Sequence, residues 1–289
     1  MDYFSILKSS PLPKNEIEIL LAFLLNKNRE FLITHPEIKL DKKSYIKFKN
    51  LEKKRLDNWS IAALIGEKEF YGLGFKVDKN VLVPRPESEL IVDEVLDILK
   101  KETNKFEIID LGTGSGAIII SLAAQLEKTD KSKYNNTTFK AIDISKLALK
   151  IAKKNSLLNE QGPKIKFYLG NLLEPLINKR DYIELISSKI LITANLPYLT
   201  PRQVKSSPSI QKEPRIALVA GKDGLECYRV LFKQLKALDI STTVFCEIDP
   251  SQNTSIKVLI KKYFAQAKVT IKKDLAGKNR LAIITIIGK

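Results

Sequence analysis

The stretch Glu107–Leu126, which reads EIIDLGTGSGAIIISLAAQL, decides the fold. Its first residues form a short apolar run typical of a buried strand, and Ala117–Leu126 has the length and composition of a helix. Three glycines, Gly112, Gly114 and Gly116, lie between them. Glycine permits a tight turn and lets a ligand approach the exposed N–H groups of a helix N-terminus. We therefore predict a strand, a ligand-binding loop and a helix.

The alternation of strand and helix continues along the chain and ends with two strands joined only by Lys272–Arg280. This connection is too short for a helical crossover, so the last two strands should pair antiparallel. The alternation predicts an α/β fold with a mostly parallel sheet that is covered on both faces. The predicted strands are Glu107–Leu111, Phe139–Ile142, Ile165–Leu169, Ile190–Ala194, Val244–Ile248, Lys268–Ile271 and Leu281–Ile286, and a second helix is predicted over Leu147–Leu158.

The N-terminal part has a helical pattern instead. Between residues 14 and 57, apolar residues recur at helical spacing, and lysine and glutamate fill the other positions as on a solvated face. A segment this short buries too little core unless it packs on another element. We expect a small helical domain over residues 1–68, a hairpin linker over 69–89 and the α/β domain over 90–289.

Two apolar runs in and around the linker, Phe70–Val77 and Val81–Val83, predict a short hairpin with its turn at Asp78–Asn80. The run Pro84-Arg85-Pro86-Glu87-Ser88-Glu89 follows. Since proline is favoured in the first turn of a helix, Pro86 predicts that a helix begins here.

The composition limits the possible chemistry. The chain of 289 residues has two cysteines, Cys227 and Cys246, and one histidine, His35. None has a partner at metal-ligand spacing, so a protein metal site, a disulfide framework and a histidine-dependent triad are not expected. The chemistry must then use amides, carboxylates, backbone groups and a cofactor. No segment resembles a membrane span or a signal peptide, so we expect a cytoplasmic protein without membrane contact.

The chain is strongly basic, with a formal net charge of +16. This charge suggests an anionic partner, such as nucleic acid or a ribosome-associated factor. A lysine-rich composition without a function explains the same charge equally well. Direct nucleic-acid binding is therefore compatible with the sequence but not required by it.

The glycine loop, Gly112–Gly116, has the spacing G-x-G-x-G. A dinucleotide-binding loop requires G-x-G-x-x-G, and a P-loop ends in Gly-Lys-Ser/Thr, so neither motif is present. One interpretation is a tight turn without a ligand, in which Asp143 merely caps a helix. Three glycines would only weaken such a turn, and we therefore favour a loop that binds a ligand.

An acidic residue, Asp143, follows the next predicted strand, where a carboxylate can accept hydrogen bonds from both hydroxyls of a ribose. Joined to the glycine loop and to Asn171 after the third strand, it resembles the S-adenosylmethionine site of a class I methyltransferase. The resemblance implies S-adenosyl-L-methionine as cofactor, S-adenosyl-L-homocysteine as product, and Asn171 with Leu172 near the adenine. The expected cofactor-binding residues are Gly112, Thr113, Gly114, Ser115, Gly116, Asp143, Asn171, Leu172 and Asn195.

A second motif, Asn195-Leu196-Pro197-Tyr198, follows the fourth predicted strand, at the sheet edge where open α/β folds bind ligands. Asn195 Oδ1 can accept a hydrogen from an amino or amide nitrogen, and the Leu196 carbonyl, held extended by Pro197, can accept a second. The Tyr198 ring can stack on a planar group. Two acceptors would aim the nitrogen lone pair at a methyl group, which suits a weak nucleophile. The alternative is a turn with a capping asparagine and no chemistry.

The Asn195–Tyr198 motif is similar to the Asn-Pro-Pro-Tyr motif of amino-methyltransferases that act on planar nitrogens. Together with Val81–Glu89, Glu213–Leu218 and Gly221–Leu225, it resembles the peptide chain release factor N5-glutamine methyltransferase family (PrmC/HemK) over nearly the whole chain. The resemblance implies a class I S-adenosylmethionine-dependent methyltransferase, Rossmann-like, with a seven-stranded mostly parallel sheet and an antiparallel C-terminal strand, preceded by a small helical domain.

The reaction implied by this resemblance is methyl transfer to N5 of the glutamine in the Gly-Gly-Gln motif of class I release factors, with a release factor as partner and a monomeric enzyme. The catalytic residues would be Asn195, Pro197 and Tyr198, without a metal. Substrate binding is expected of Asn195, Leu196, Pro197, Tyr198, Arg85 and Glu87. Arg85 and Glu87 equally fit a salt-bridge cluster between domains.

Two positions depart from the family pattern, because Leu196 replaces the usual proline and Asn171 replaces the usual aspartate. Asn-Leu-Pro-Tyr also occurs in ribosomal RNA adenine dimethyltransferases, so RNA adenine N6-methylation is an alternative function. The domain order and Pro84–Glu89 favour glutamine. A catalytically silent cofactor-binding module that docks on a translation factor is a further alternative, although both the cofactor loop and the acceptor motif are present.

Overall fold

The structure is a computed structural model that describes residues 2–162, 164–177 and 188–288. The chain forms two compact units, of which the first consists of Met1–Glu67 and Ser206–Lys212 and the second of Lys68–Lys205 and Glu213–Lys289. The predicted division into residues 1–68, 69–89 and 90–289 also assigns roles to the segments, and it stays a prediction.

The first unit is helical. Its helices are α1 (Tyr3–Ser9), α2 (Lys14–Leu25), α3 (Arg29–Thr34), α4 (Lys42–Leu56) and α5 (Ile61–Ile65). Aspartate, asparagine or serine caps the N-terminus of α1, α3, α4 and α5 by accepting a backbone N–H, and apolar side chains from these helices form one core. The helical pattern predicted between residues 14 and 57 is confirmed. Helices α1 and α5 lie outside it, because so few turns show little periodicity.

A two-stranded hairpin follows, formed by β1 (Glu67–Phe70) and β2 (Leu73–Lys76). Its two turn residues, Tyr71 and Gly72, have φ values of 52° and 73°. The prediction of a hairpin between Phe70–Val77 and Val81–Val83 is therefore wrong, since residues 81–83 form no strand. Two-residue turns with positive φ favour Asn-Gly or Asp-Gly, so Tyr-Gly gives little signal in the sequence.

The second unit is built on a sheet with the strand order β5-β4-β3-β6-β7-β9-β8. Neighbouring strands from β5 to β7 are parallel, whereas β9 is antiparallel to both β7 and β8. Each predicted strand is present, and the predicted antiparallel pair is confirmed. The strands are β3 (Phe106–Leu111), β4 (Thr137–Asp143), β5 (Ile165–Leu169), β6 (Lys189–Ala194), β7 (Thr242–Glu247), β8 (Lys268–Lys273) and β9 (Asn279–Ile286).

Helices cover both faces of this sheet. Because side chains alternate along a strand, Ile108 of β3 packs in the core with α6 and α7, while Ile109 packs in the opposite core with α11 and α12. The double cover explains why every residue of β3 is buried. The helices of the second unit are α6 (Glu89–Lys101), α7 (Ala117–Thr129), α8 (Lys131–Asn136), α9 (Lys146–Leu158), α10 (Pro201–Lys205), α11 (Glu226–Leu238) and α12 (Asn253–Tyr263).

The strand order places three predicted site residues, Gly112, Asp143 and Asn195, side by side. Strand β3 lies between β4 and β6, with Leu111 opposite both Ile142 and Ala194. The chain therefore leaves β3, β4 and β6 at one level of one sheet edge. Since the direction of winding reverses between β3 and β6, this is the switch point where open α/β sheets bind ligands. Among the helices of the described ranges, none is long and apolar enough to cross a membrane.

Candidate active site

A cavity of about 250 Å³ opens at the carboxyl ends of β3, β4 and β6. It brings together most of the residues predicted from the two motifs. Gly116, Tyr198, Arg85 and Glu87 do not line it. The predicted residues that do are Gly112, Thr113, Gly114, Ser115, Asp143, Asn171, Leu172, Asn195, Leu196 and Pro197.

Side chains that were not among the predicted site residues complete the wall, although they lie in the Val81–Glu89 and Glu213–Leu218 segments. The irregular segment before α6 contributes Leu82, Pro84 and Ser88, and the loop before α11 contributes Ile216 and Ala217. Ile216 is 62% exposed, which is unusual for so apolar a side chain at the rim of a cavity. In the part of the chain that the structure describes, no cluster of three or more His, Cys, Asp or Glu residues could hold a metal ion.

The three glycines of the loop serve different purposes. All have positive φ, at 65°, 55° and 83° for Gly112, Gly114 and Gly116. A Cβ at Gly116 would lie 2.7 Å from Ile120 Cδ1, so this glycine allows close packing inside the fold. A Cβ at Gly114 would meet only the Gly112 carbonyl oxygen, at 3.9 Å. Gly114 therefore keeps open space at the cavity wall, as the binding of a bulky cofactor requires.

Asp110, at the end of β3, anchors the glycine loop. Its two carboxylate oxygens accept hydrogen bonds from Thr113 Oγ1 at 2.6 Å and from Thr193 Oγ1 of β6 at 2.7 Å. Burial raises the pKa of Asp110 to about 6, the two threonine hydroxyls oppose this shift, and the charge of Asp143 adds to it. In the sequence, Asp110 is recognisable only as a carboxylate near the end of a largely apolar strand, directly before the loop.

Asp143, at the end of β4, also holds the loop. Its Oδ2 accepts a hydrogen bond from the Gly114 N–H at 2.9 Å, and its Oδ1 accepts one from the Ser145 N–H at 2.8 Å. Burial raises the pKa of Asp143, and these backbone hydrogen bonds oppose the shift. A carboxylate has about four acceptor positions, so two remain for the ribose hydroxyls that the sequence predicts here. Open space at Gly114 beside this carboxylate fits the expected cofactor.

The turn Asn171–Leu172 also lines the cavity. Leu172 has a φ of 55°, which is uncommon for leucine. Gln234 of α11 holds this turn, because its Oε1 accepts from the Leu173 N–H at 2.9 Å and its Nε2 donates to the Asn171 carbonyl at 3.2 Å. Nothing in the sequence around residue 234 indicates this role.

Asn195 stands at the end of β6 and lines the cavity. Its Nδ2 donates to Ser88 Oγ at 2.8 Å, and its Oδ1 has no hydrogen-bond partner among the residues that the structure describes. The side chain of Leu196 is 3% exposed and lies against the glycine loop, where a Cβ on Gly112 would approach Leu196 Cδ2 to 3.0 Å. The residue that departs from the family pattern thus packs beneath the loop.

Tyr198 lies behind this part of the cavity wall. Its hydroxyl donates to Glu247 Oε1 at 3.0 Å, and burial together with the charge of Glu247 raises the pKa of the phenol. Its carbonyl would overlap with any Cβ at Gly224, which explains glycine at that position. Because the ring does not line the cavity, stacking of Tyr198 on a substrate group stays a prediction.

Arg85 forms an ion pair inside the second unit. Its Nη2 lies 2.5 Å from Glu213 Oε1, and Glu213 Oε2 accepts a hydrogen bond from the Val83 N–H at 3.3 Å. The side chain of Glu213 is only 5% exposed, whereas that of Arg85 is 31% exposed. Arg85 thus fastens the segment before α6 to the loop that contributes Ile216. A substrate contact for Arg85 or Glu87 stays a prediction.

Comparison with known proteins assigns the chain to a family. A family model of the PrmC N-terminal domain matches residues 3–66, and a methyltransferase domain model matches residues 102–237. The release factor glutamine methyltransferase of Bacillus anthracis is 31% identical over 98% of this chain and 96% of its own length. The chain belongs to the release factor glutamine methyltransferase family. The enzyme of the same description from Coxiella burnetii is 33% identical over 95% of this chain and 92% of its own length.

The family assignment confirms the resemblance derived from the sequence. It also confirms the class of enzyme, a methyltransferase, and with it the expected cofactor, S-adenosyl-L-methionine. Solved structures support the class I fold. The N-terminal domain of human METTL16 in complex with SAH has a TM-score of 0.53 at 17% identity, covering 93% of this chain and 94% of that one. The catalytic domain of hMettl16 bound to a MAT2A 3'UTR hairpin has a TM-score of 0.56 at 16% identity, covering 93% of each chain.

Proposed function

We propose that this chain transfers a methyl group from S-adenosyl-L-methionine to N5 of the glutamine in the Gly-Gly-Gln motif of a class I peptide chain release factor. One observation carries the proposal: the Asn195 amide and the glycine loop line a single cavity, in a chain whose curated relatives are named release factor glutamine methyltransferases. The names of the relatives favour glutamine over an RNA adenine as the acceptor.

The residues that would hold the cofactor are those of the glycine loop, with Asp143 for the ribose and the Asn171–Leu172 turn for the adenine. When bound, the cofactor supplies an electrophilic methyl group on a sulfonium. Asp110 and Asp143 hold the loop in place through Thr113 and the Gly114 N–H, so the protein's own hydrogen bonds define its shape. This preorganisation lowers the entropy lost on binding.

Asn195 Oδ1 and the Leu196 carbonyl would accept the two hydrogens of the glutamine amide. An amide nitrogen is a weak nucleophile because its lone pair is delocalised, so orientation and exclusion of water must supply most of the catalysis. Such orientation can lower a barrier by about 7–11 kcal/mol. A general base is not needed beforehand, since the nitrogen becomes acidic only as it gains the methyl group. Pro197 would keep the Leu196 carbonyl in its extended orientation.

The remaining parts of the proposal concern partner and location. We assign release-factor docking to residues 1–68, the part that includes the PrmC N-terminal domain match. The enzyme would act as a monomer in the cytoplasm, where release factors work. Its charge of +16 permits contact with nucleic acid without making RNA the methyl acceptor.

The direct test is to incubate the purified protein with labelled S-adenosyl-L-methionine and either a class I release factor or ribosomal RNA. We expect mass spectrometry to find one added methyl group on the release factor, at the glutamine of Gly-Gly-Gln. Label found only in RNA would make the protein an adenine methyltransferase. Binding of cofactor and release factor without any product would make it a silent docking module.

The assigned role of Asn195 has its own test. Asn195→Ala should keep cofactor binding in calorimetry but lose methyl transfer by about 10²-fold or more, because the acceptor amide is no longer oriented. Asn135→Ala, a change of the same kind at an exposed position, serves as the control and should keep full activity. Turnover of Asn195→Ala at the rate of the unmodified enzyme would exclude the role.

A further inference from the structure

Two buried side chains connect to Asn195, Ser88 in the cavity wall and Glu247 behind it. Asn195 Nδ2 donates to Ser88 Oγ at 2.8 Å, and Ser88 Oγ donates to Glu247 Oε2 at 2.5 Å. We propose that Ser88 and Glu247 are positioning residues that fix the rotation of the Asn195 amide, so that Oδ1 is presented to the methyl acceptor. This inference rests on the proposed function, because it assumes that Asn195 holds the acceptor nitrogen.

The fold brings these residues together from three elements. Strands β6 and β7 are parallel neighbours with Ala194 opposite Cys246, so Asn195 and Glu247 follow at the same level of the sheet. Ser88 ends the short turn from which α6 begins. Ser88 and Glu247 are 3% and 1% exposed. Hydrogen bonds in such a site do not compete with bulk water, and they can define a single arrangement.

Counting hydrogens fixes the direction of the chain. The Ser88 hydroxyl has one hydrogen, and the Glu247 carboxylate takes it. Ser88 Oγ can therefore only accept along its contact with Asn195, which requires the NH2 group of the amide to face Ser88. A rotated amide would set two acceptor oxygens against each other and lose this hydrogen bond. An ionised Glu247 therefore fixes the orientation of Asn195 Oδ1 through Ser88.

Glu247 also holds a second residue of the acceptor motif. Its Oε1 accepts from the Tyr198 hydroxyl at 3.0 Å, so both carboxylate oxygens receive a hydroxyl donor. Burial raises the pKa of Glu247, whereas the hydrogen bonds from Ser88 and Tyr198 and the charge of Arg280 favour its ionised form. A single carboxylate therefore supports both ends of the Asn195–Tyr198 motif.

The first test removes the acceptor that faces the Asn195 NH2 group. In Ser88→Ala the amide has no partner that distinguishes its two rotations, and we expect the kcat for release-factor methylation to fall by about 10- to 100-fold. Cofactor affinity and the KM for the release factor should change little, because Ser88, although it lies in the cavity wall, is only 3% exposed and the change removes a single hydroxyl. Ser88→Thr, which keeps the hydroxyl, should recover most of the lost kcat.

The matched control is Ser121→Ala. Ser121 is also fully buried, but its hydroxyl has no hydrogen-bond partner among the described residues, and it does not line the cavity. This variant makes the same chemical change without touching the Asn195–Ser88–Glu247 chain of hydrogen bonds, here called the relay. Its kcat should therefore equal that of the unmodified enzyme. Equal losses of kcat in the Ser88→Ala and Ser121→Ala variants, or a Ser88→Thr enzyme no better than Ser88→Ala, would refute the positioning role.

The second test separates Glu247 from Ser88. Glu247→Met keeps the approximate volume but removes both acceptors. The Ser88 hydroxyl can then donate to Asn195 Oδ1 as well as accept from Nδ2, so the rotation of the amide is no longer fixed. We expect kcat to fall at least as far as in Ser88→Ala. Since Glu247 acts on Asn195 through Ser88, the double variant should lose less than the product of the two single losses. Losses that multiply would show independent effects and contradict the relay.

The unmodified enzyme, assayed in the same experiment, separates this inference from the proposed function. If it methylates the release factor, the variants test the relay directly. If it methylates only RNA, the proposed acceptor is wrong, and the same variants are compared on the RNA acceptor, whose amino nitrogen would need the same Asn195 Oδ1. Variants with the kcat of the unmodified enzyme on the acceptor actually used would refute the relay in either case.

Discussion

Replacing each of three glycines by alanine should separate the packing role of the loop from its binding role. Gly114, Gly116 and Gly277 all have positive φ, so alanine costs about 1–2 kcal/mol of backbone strain at each position. Gly277 lies between β8 and β9, and its Cβ would have nothing within 4 Å. Gly277→Ala therefore measures the backbone cost alone.

The structure gives different additional costs at the two loop positions. At Gly116, a Cβ would lie 2.7 Å from Ile120 Cδ1 and 3.3 Å from Ala152 Cβ, and overpacking of this kind adds about 1–3 kcal/mol. We expect Gly116→Ala to lower the free energy of unfolding by about 2–5 kcal/mol in total. Gly114→Ala should lower it no more than Gly277→Ala does, because its Cβ occupies open space in the cavity.

Cofactor affinity, unlike stability, should be strongly reduced by a substitution at Gly114, the loop glycine that faces the cavity. A methyl group at Gly114 would take space that the cofactor needs, and the same range of overpacking energies corresponds to a Kd weaker by about 5- to 150-fold. Gly277→Ala should bind the cofactor with unchanged affinity. Stability would be measured by urea unfolding and affinity by calorimetry.

Two results would refute this reasoning. Unchanged cofactor affinity in Gly114→Ala would show that the cofactor does not lie against this part of the loop. A loss of stability in Gly277→Ala as large as that in Gly116→Ala would show that backbone strain, rather than contact with Ile120 and Ala152, determines the cost.

Two further predictions concern Asp110 and Gln234. The folded pKa of Asp110, about 6, lies above its ordinary value of 3.8, so its ionisation should cost the folded state about 3 kcal/mol in total, most of it as the pH rises from about 4 to above 6. Asp110→Asn should lack this component. The free energy of unfolding is measured for both proteins at pH 4 and at pH 7, and the loss of stability between these pH values should be smaller in Asp110→Asn than in the unmodified protein. Equal losses would contradict the shift. Gln234→Ala removes two hydrogen bonds that hold the turn at Leu172 and should weaken cofactor binding in calorimetry by about 5- to 150-fold. Lys233→Ala, a substitution at the exposed neighbouring residue, is the control. Equal affinities of the two variants would exclude a role of Gln234 in holding the turn.

The central sheet could be predicted because its strands are apolar runs separated by helical segments. Buried parallel strands such as β3 leave a strong local pattern, and the ends of these strands placed Asp143 and Asn195 at one edge of the sheet. The hairpin could not be located, because its turn uses Tyr71 where Asn or Asp is usual. The assignment of Ser206–Lys212 to the first unit also has no local signal, since it depends on contacts distant in sequence.

The supporting residues of the site were missed for a related reason. Ser88 and Glu247 are 159 positions apart, and Gln234 is 61 positions from the turn that it holds. Each acts through a hydrogen bond whose partner is known only once the chain has folded. Motifs reveal residues whose spacing follows the local backbone, but they do not reveal contacts between distant segments. The Val81–Glu89 segment contains Ser88, yet nothing in it shows that Ser88 contacts Asn195 and Glu247.

The two oxygens of Asp110 impose a constraint on how this site can evolve. One oxygen holds Thr113 of the glycine loop and the other holds Thr193 of β6, the strand that ends next to Asn195. A substitution at residue 110 would therefore disturb both halves of the active site at once. Compensation would require simultaneous changes at two threonines 80 positions apart. We therefore expect variation at residues 110, 113 and 193 to be correlated among active enzymes, because these three residues support both the donor half and the acceptor half of the site.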